Sequence, residues 1–129
     1  MHWVNVVVIA ALVQYFVFSA LVGRARGKYG VKAPAVTGHE MFERYFRVHQ
    51  NTLEQLVIFV PAIWLFGYYV SGAWAAVLGV VYLIGRTIYA ATYIKDPDSR
   101  SAGFGLTFLP IAVLVAGALI GVIRALTVK

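Results

Sequence analysis

Trp3-Val-Asn-Val-Val-Val-Ile-Ala-Ala-Leu-Val-Gln-Tyr-Phe-Val-Phe-Ser-Ala-Leu-Val22 runs for twenty residues without a charge, with Asn5, Gln14 and Ser19 as its only polar interruptions. At about 1.5 Å of rise per residue, such a helix matches a hydrocarbon core about 30 Å thick. A cleaved leader would need a basic start and a small-x-small cleavage site, and Met1-His2-Trp3 begins neither way. The stretch is therefore expected to be a retained transmembrane helix. It sets the frame for the rest of the chain.

The whole chain has the same character. Of its 129 residues 61% are hydrophobic and 12% charged, against about 45–50% and about 25% in soluble domains. A chain this small has much surface to cover, and 11 basic plus 5 acidic residues are too few to cover it. A soluble monomer is excluded. With no cysteine there is no disulfide, thiolate metal site or protein thiol nucleophile. The net charge of +6 is read as the charge bias of membrane loops, with no nucleic-acid partner.

The pattern predicts an all-α integral membrane protein: one domain over 1–129, a bundle of four transmembrane helices at 3–22, 40–70, 73–94 and 101–126. Gly23 to Thr37 reads as a basic loop, because Gly27, Gly30 and Pro34 interrupt any helix. The second helix is polar through Glu54, then apolar, with Pro61 expected to kink it. Ser71-Gly72 is a tight break, and Lys95 to Arg100 a charged turn. Six Lys/Arg fall between Gly23 and Gln50, and Lys95 and Arg100 in the third loop. By the positive-inside rule loops one and three face the cytoplasm and both termini the opposite side.

Charges within a span cost about 2.5–3.5 kcal/mol each and call for a function. Arg47, Asn51 and Glu54 follow at i, i+4 and i+7 and share a helix face. Arg86, Tyr89 and Tyr93 do so on the third helix, with Arg100 seven residues on. Guanidinium forks grip carboxylates, a glutamate holds an ammonium, and amide and phenol groups satisfy peptide bonds. Together they suit a small zwitterionic peptide with several carboxylates. The same spacing also permits Arg47, Glu54 and Arg86 to pair as interhelical glue, and Tyr89 and Tyr93 to serve as packing aromatics. His49 points roughly 160–200° away from the Arg47/Glu54 stripe and reads as a helix-surface or interface residue. His2, His39 and His49 are scattered, so no metal site is expected, and no glycine-rich loop suits a nucleotide.

The string Phe42-Glu-Arg-Tyr-Phe-Arg-Val-His-Gln-Asn-Thr-Leu-Glu54 resembles the second-helix signature of the MAPEG superfamily, membrane-associated proteins of eicosanoid and glutathione metabolism. Its wording is most similar to the type-three microsomal glutathione transferase branch. The resemblance extends through Val22–Tyr29, Gly85–Tyr93 and Ser99–Ser101, and so over nearly the whole chain. It implies a homotrimer holding glutathione at each subunit boundary near the cytoplasmic surface. It further implies that Arg47, Asn51, Glu54, Tyr89, Tyr93 and Arg100 bind the tripeptide, that Arg26 helps across the boundary, and that His49 approaches it. Arg100 would lie beside the thiol as the catalytic residue. The implied activity is conjugation of glutathione to lipophilic electrophiles, or reduction of lipid hydroperoxides, by an enzyme surrounded by membrane lipid. Two positions depart from the family. Gln55 stands where several members carry tyrosine. Gly27 replaces a second arginine of some eicosanoid-forming members, which argues against specialisation for the leukotriene epoxide. A non-catalytic lipid- or glutathione-binding relative is the alternative. A small multidrug exporter fits less well, because its glutamate sits mid-span in the first helix, which here is uncharged.

Overall fold

The computed structural model describes residues 1–128. Four helices follow one another: α1 His2–Tyr29, α2 Glu40–Tyr69, α3 Gly72–Lys95 and α4 Ser101–Thr127, with a 3₁₀ turn at Pro97–Ser99 before α4. Each is long and apolar enough to cross a membrane. Large apolar side chains such as Phe16, Val57, Phe108 and Leu119 are exposed along the outside. A soluble bundle would place polar residues there. The protein is an integral, multi-pass membrane protein.

One expectation is corrected. The stretch from Gly23 to Tyr29 is helix, not loop, and α1 continues through Gly23 and Gly27. A helical glycine costs about 1 kcal/mol relative to alanine, too little to stop a helix already propagated through twenty residues. Arg26 and Lys28 fall in the last turn, where cations complement the helix dipole. Termination occurs at Gly30, whose left-handed φ of 70° closes the helix with its N–H on the Arg26 carbonyl.

Other ends follow their local chemistry. The His39 side chain accepts from the Met41 N–H at 3.1 Å, and Glu40 and Glu43 occupy the first turn of α2, the favourable end for acids. Arg44 forms an ion pair with Glu40 at 2.6 Å. It also donates to the Ile94 and Lys95 carbonyls at 2.9 and 3.2 Å, satisfying the open C-terminus of α3. The Ser99 hydroxyl donates to the carbonyls of Thr92 and Asp96 at 3.0 and 2.7 Å. The turn that delivers Arg100 is thereby tied back to α3.

The main core lies towards the Ser71 end, where Val4, Phe59, Ile63, Tyr82 and Leu114 pack together. Phe59 and Tyr82 stack at 3.8 Å between ring centres. Towards the other end α3 and α4 approach almost backbone to backbone. A Cβ on Gly103 would lie 2.4 Å from Cα of Tyr89, and one on Gly85 would lie 2.7 Å from the carbonyl carbon of Leu106. Small residues permit this closeness, which membrane helices use in place of hydrophobic contrast.

Candidate functional site: an arginine-lined cavity

At the end of the bundle carrying the α3–α4 turn, a cavity of about 460 Å³ is lined by Arg47 and Asn51 from α2, Tyr89 and Tyr93 from α3, and Arg100, Ser101, Phe104 and Gly105 from the start of α4. Each pair on α2 and α3 is spaced by four residues and so shares a face. The α4 residues fall at i, i+1, i+4 and i+5, again one face.

The lining is rich in donors and carries no carboxylate. Among the described residues the Arg44–Glu40 pair is the single salt bridge, so neither Arg47 nor Arg100 is neutralised by an acid. The first turn of α4 adds backbone N–H groups at the positive end of a helix. An anion is the favoured occupant. Tyr89 is buried and Tyr93 half-buried, with ring centres 5.5 Å apart in a stacked pair. The two rings form a flat apolar wall beside the cations.

Arg86 lies behind this wall. It is 0% exposed and donates to Oδ1 of Asn51 at 2.9 Å and to Oγ1 of Thr52 at 2.6 Å. Its guanidinium stands 4.4 Å from the Tyr89 ring centre.

The cavity thus brings together five of the eight residues named from sequence: Arg47, Asn51, Tyr89, Tyr93 and Arg100. Three others are not among its lining. Glu54 is exposed further along α2. Arg26 donates to the Ala35 carbonyl at 2.7 Å and covers the Phe42 ring at 4.9 Å. His49 turns towards α1 and stacks on Tyr15 at 4.6 Å. The pairing of Arg86 as interhelical glue takes a different form from the one expected, with Asn51 and Thr52 as partners in place of Glu54. Of the two departures from the family, Gly27 is exposed within α1 and Gln55 is half-buried on α2. Ser101, Phe104 and Gly105 were missed from sequence, although their spacing from Arg100 was a usable signal. Thr52 was missed because a helical threonine usually bonds its own backbone, as Thr52 also does to the Val48 carbonyl at 2.8 Å.

Comparison with known proteins gives the family. The MAPEG family profile matches residues 4–120. An uncharacterised protein of Synechocystis is 46% identical over 121 residues, covering 94% of this chain and 88% of the relative. Microsomal glutathione S-transferase 2 of Homo sapiens is 40% identical over 105 residues, covering 81% and 71%. Leukotriene C4 synthase of Cavia porcellus is 32% identical over 119 residues, covering 92% and 79%. The branch resemblance read from the second helix was to type three, whereas these named relatives are a type 2 transferase and a leukotriene C4 synthase. With the four spans and the profile in agreement over most of its length, the chain belongs to the MAPEG family.

Proposed function

We propose that this protein is a membrane-bound glutathione transferase that activates the glutathione thiol with Arg100 and conjugates it to lipophilic electrophiles, with reduction of lipid hydroperoxides as a second outcome of the same thiolate. The observation that carries this reading is the convergence of Arg47, Asn51, Tyr89, Tyr93 and Arg100 on one cavity without a carboxylate. Glutathione is a peptide with two carboxylates and a thiol, and an uncompensated pair of guanidinium groups fits it. Support also comes from relatives named glutathione S-transferase and leukotriene C4 synthase.

The chain has no cysteine, so the nucleophile comes with the substrate. A free thiol titrates near about 8.5, leaving a few per cent thiolate at neutral pH. A guanidinium at hydrogen-bond distance favours the anion. Lowering the thiol pKa by about two units makes the thiolate dominant at pH 7, at about 1.4 kcal/mol per unit. Arg47 and Asn51 hold the peptide, Tyr89 and Tyr93 wall it, and Arg100 holds the sulfur. In conjugation the thiolate attacks an electrophilic carbon; a C–S bond forms and the leaving bond, an epoxide C–O or a carbon–halogen bond, breaks. With an epoxide, the released oxygen takes a proton from water. In the peroxidase reaction sulfur attacks the peroxide, the O–O bond breaks and an alcohol leaves. A second glutathione then converts the sulfenic acid to disulfide and water. The apolar partner concentrates in lipid and enters between helices, so orientation supplies much of the rate.

The active unit in this reading is a homotrimer with one glutathione at each subunit boundary. Arg26 reaches the ligand across the subunit boundary, His49 approaches it and Glu54 extends the site along α2. Loops one and three are cytoplasmic and both termini lie opposite, which puts the cavity where water-borne glutathione meets membrane-borne substrate. The test is glutathione titration of purified protein, followed by the ultraviolet absorbance of the thiolate and by mass of the conjugate formed with a halonitrobenzene. Appearance of both at neutral pH is expected; binding without a thiolate band overturns the assignment of Arg100.

A further inference from the structure

A guanidinium buried in a membrane span with no acid beside it is costly, and Arg86 is such a group: 0% exposed, bonded to Asn51 and Thr52 only. It does not line the cavity. We propose that Arg86 is the positioning residue of the site, fixing the Asn51 amide so that its NH₂ group alone faces the ligand and thereby setting the cavity to select acceptor groups.

The argument rests on donor inventory. Arginine has five N–H donors and no acceptor. The Asn51 atom 2.9 Å from the Arg86 terminal nitrogen is therefore the oxygen, since the flipped amide would set N–H against N–H. With the oxygen committed inside the bundle, both remaining Asn51 donors belong to the cavity face. An asparagine without that anchor presents either end and binds donors and acceptors alike. The anchored one donates to a peptide carbonyl or carboxylate and has no free acceptor for an N–H. Arg86 also stacks on Tyr89, at 4.4 Å, so one buried cation holds elements of two walls, α2 through Asn51 and α3 through the ring. Its bond to Thr52 at 2.6 Å anchors the fork without touching the cavity, because Thr52 is fully buried.

This inference rests on the glutathione reading above, and the test keeps the two apart. Four single variants and one double variant are compared with wild type in detergent for glutathione affinity, for kcat and KM with a halonitrobenzene, and for melting temperature. Asn51→Asp retains, as a carboxylate, the acceptor that Arg86 needs while replacing the two donors with oxygen. It is expected to stay folded and to lose at least tenfold in glutathione affinity. Arg86→Met and Asn51→Ala are each expected to raise KM for glutathione about tenfold, the loss of a hydrogen bond worth about 1.4 kcal/mol, with kcat changed less than twofold. Combined, they are expected to cost no more than either alone, the signature of one shared interaction. Thr52→Val cuts the other arm of the fork and is expected to lower the melting temperature while costing less glutathione affinity than Asn51→Asp. Wild-type protein that fails to bind glutathione overturns the functional reading. Wild-type binding together with additive losses in the double variant, or with full affinity in Asn51→Asp, overturns the positioning role alone. Should Arg86→Met fail to fold, Asn51→Asp against Thr52→Val still decides the matter.

Discussion

At the Ser71 end of the bundle Val4, Phe59, Ile63, Tyr82 and Leu114 meet as side chains; at the Arg100 end α3 and α4 meet through Gly85 and Gly103, with almost no side chain between them. The first region is filled by interlocking apolar groups, each replaceable at a modest and local loss. The second is set by backbone contact, and the polar side chains displaced from the seam line a cavity. Stability and chemistry are thus weighted towards opposite ends of the same four helices. The near half keeps smaller apolar clusters of its own, around Phe18, Val48 and Tyr89 and around Val22 and Phe42, so the uncompensated arginines of the cavity stand among packed side chains as well as beside the seam.

The contrast can be broken most severely at Arg100. Arg100→Ala is expected to reduce turnover about 25-fold at neutral pH, the fall in thiolate fraction as the thiol pKa returns from about 6.5 to about 8.5, a larger loss than that in glutathione affinity, while melting temperature holds. The sign follows from the charge. A cation favours the thiolate and lowers the thiol pKa, so wild-type thiolate absorbance rises with a midpoint near about 6.5, and the variant's midpoint moves up towards about 8.5. Equal midpoints would remove Arg100 from the chemistry. Next comes Gly103→Ala, whose Cβ would meet the Tyr89 backbone at 2.4 Å, an atom that cannot rotate aside. Overpacking of this kind costs about 1–3 kcal/mol and should lower both melting temperature and glutathione affinity, since it shifts a wall of the cavity. Arg47→Ala is expected to weaken glutathione binding about tenfold, the scale of a charge-assisted hydrogen bond, with turnover at saturation nearly unchanged. The mildest is Ile63→Val at the far end, which should cost about 0.5–1.5 kcal/mol in unfolding and leave glutathione titration untouched. A change in ligand affinity there would mean that the two regions are coupled.

Much of this arrangement is legible in residue order. The uncharged run from Trp3 to Val22 and the shared helix faces of Arg47 with Asn51 and of Tyr89 with Tyr93, each pair four residues apart, can be read from the sequence alone. The glycines at 23 and 27 mislead, because local propensity is weak against a helix that continues on both sides. Arg86 marks the deeper limit. Its spacing sets it on the stripe of Tyr89 and Tyr93, yet its long side chain crosses to α2 and finds Asn51 and Thr52 there. Partners across a helix pair depend on rotation and depth, which no single helix records. Glu54 shows the converse, since helical spacing sets it on the stripe of Arg47 and Asn51 while the lining of the cavity leaves it out; Arg26, named from the family resemblance, is left out as well.

The glycine seam also constrains motion. Two backbones in direct contact have no intervening side chains whose rotamers could flex, so α3 and α4 must travel as one plank. Arg86 and Arg44 pin α2 to that plank as well, so the opening that admits a greasy molecule to the sulfur falls to the exposed side chains at the mouth, Arg47, Arg100 and Phe104. Product release would then be paced by how readily those side chains swing, and relaxation-dispersion signals should concentrate on them while the plank stays quiet.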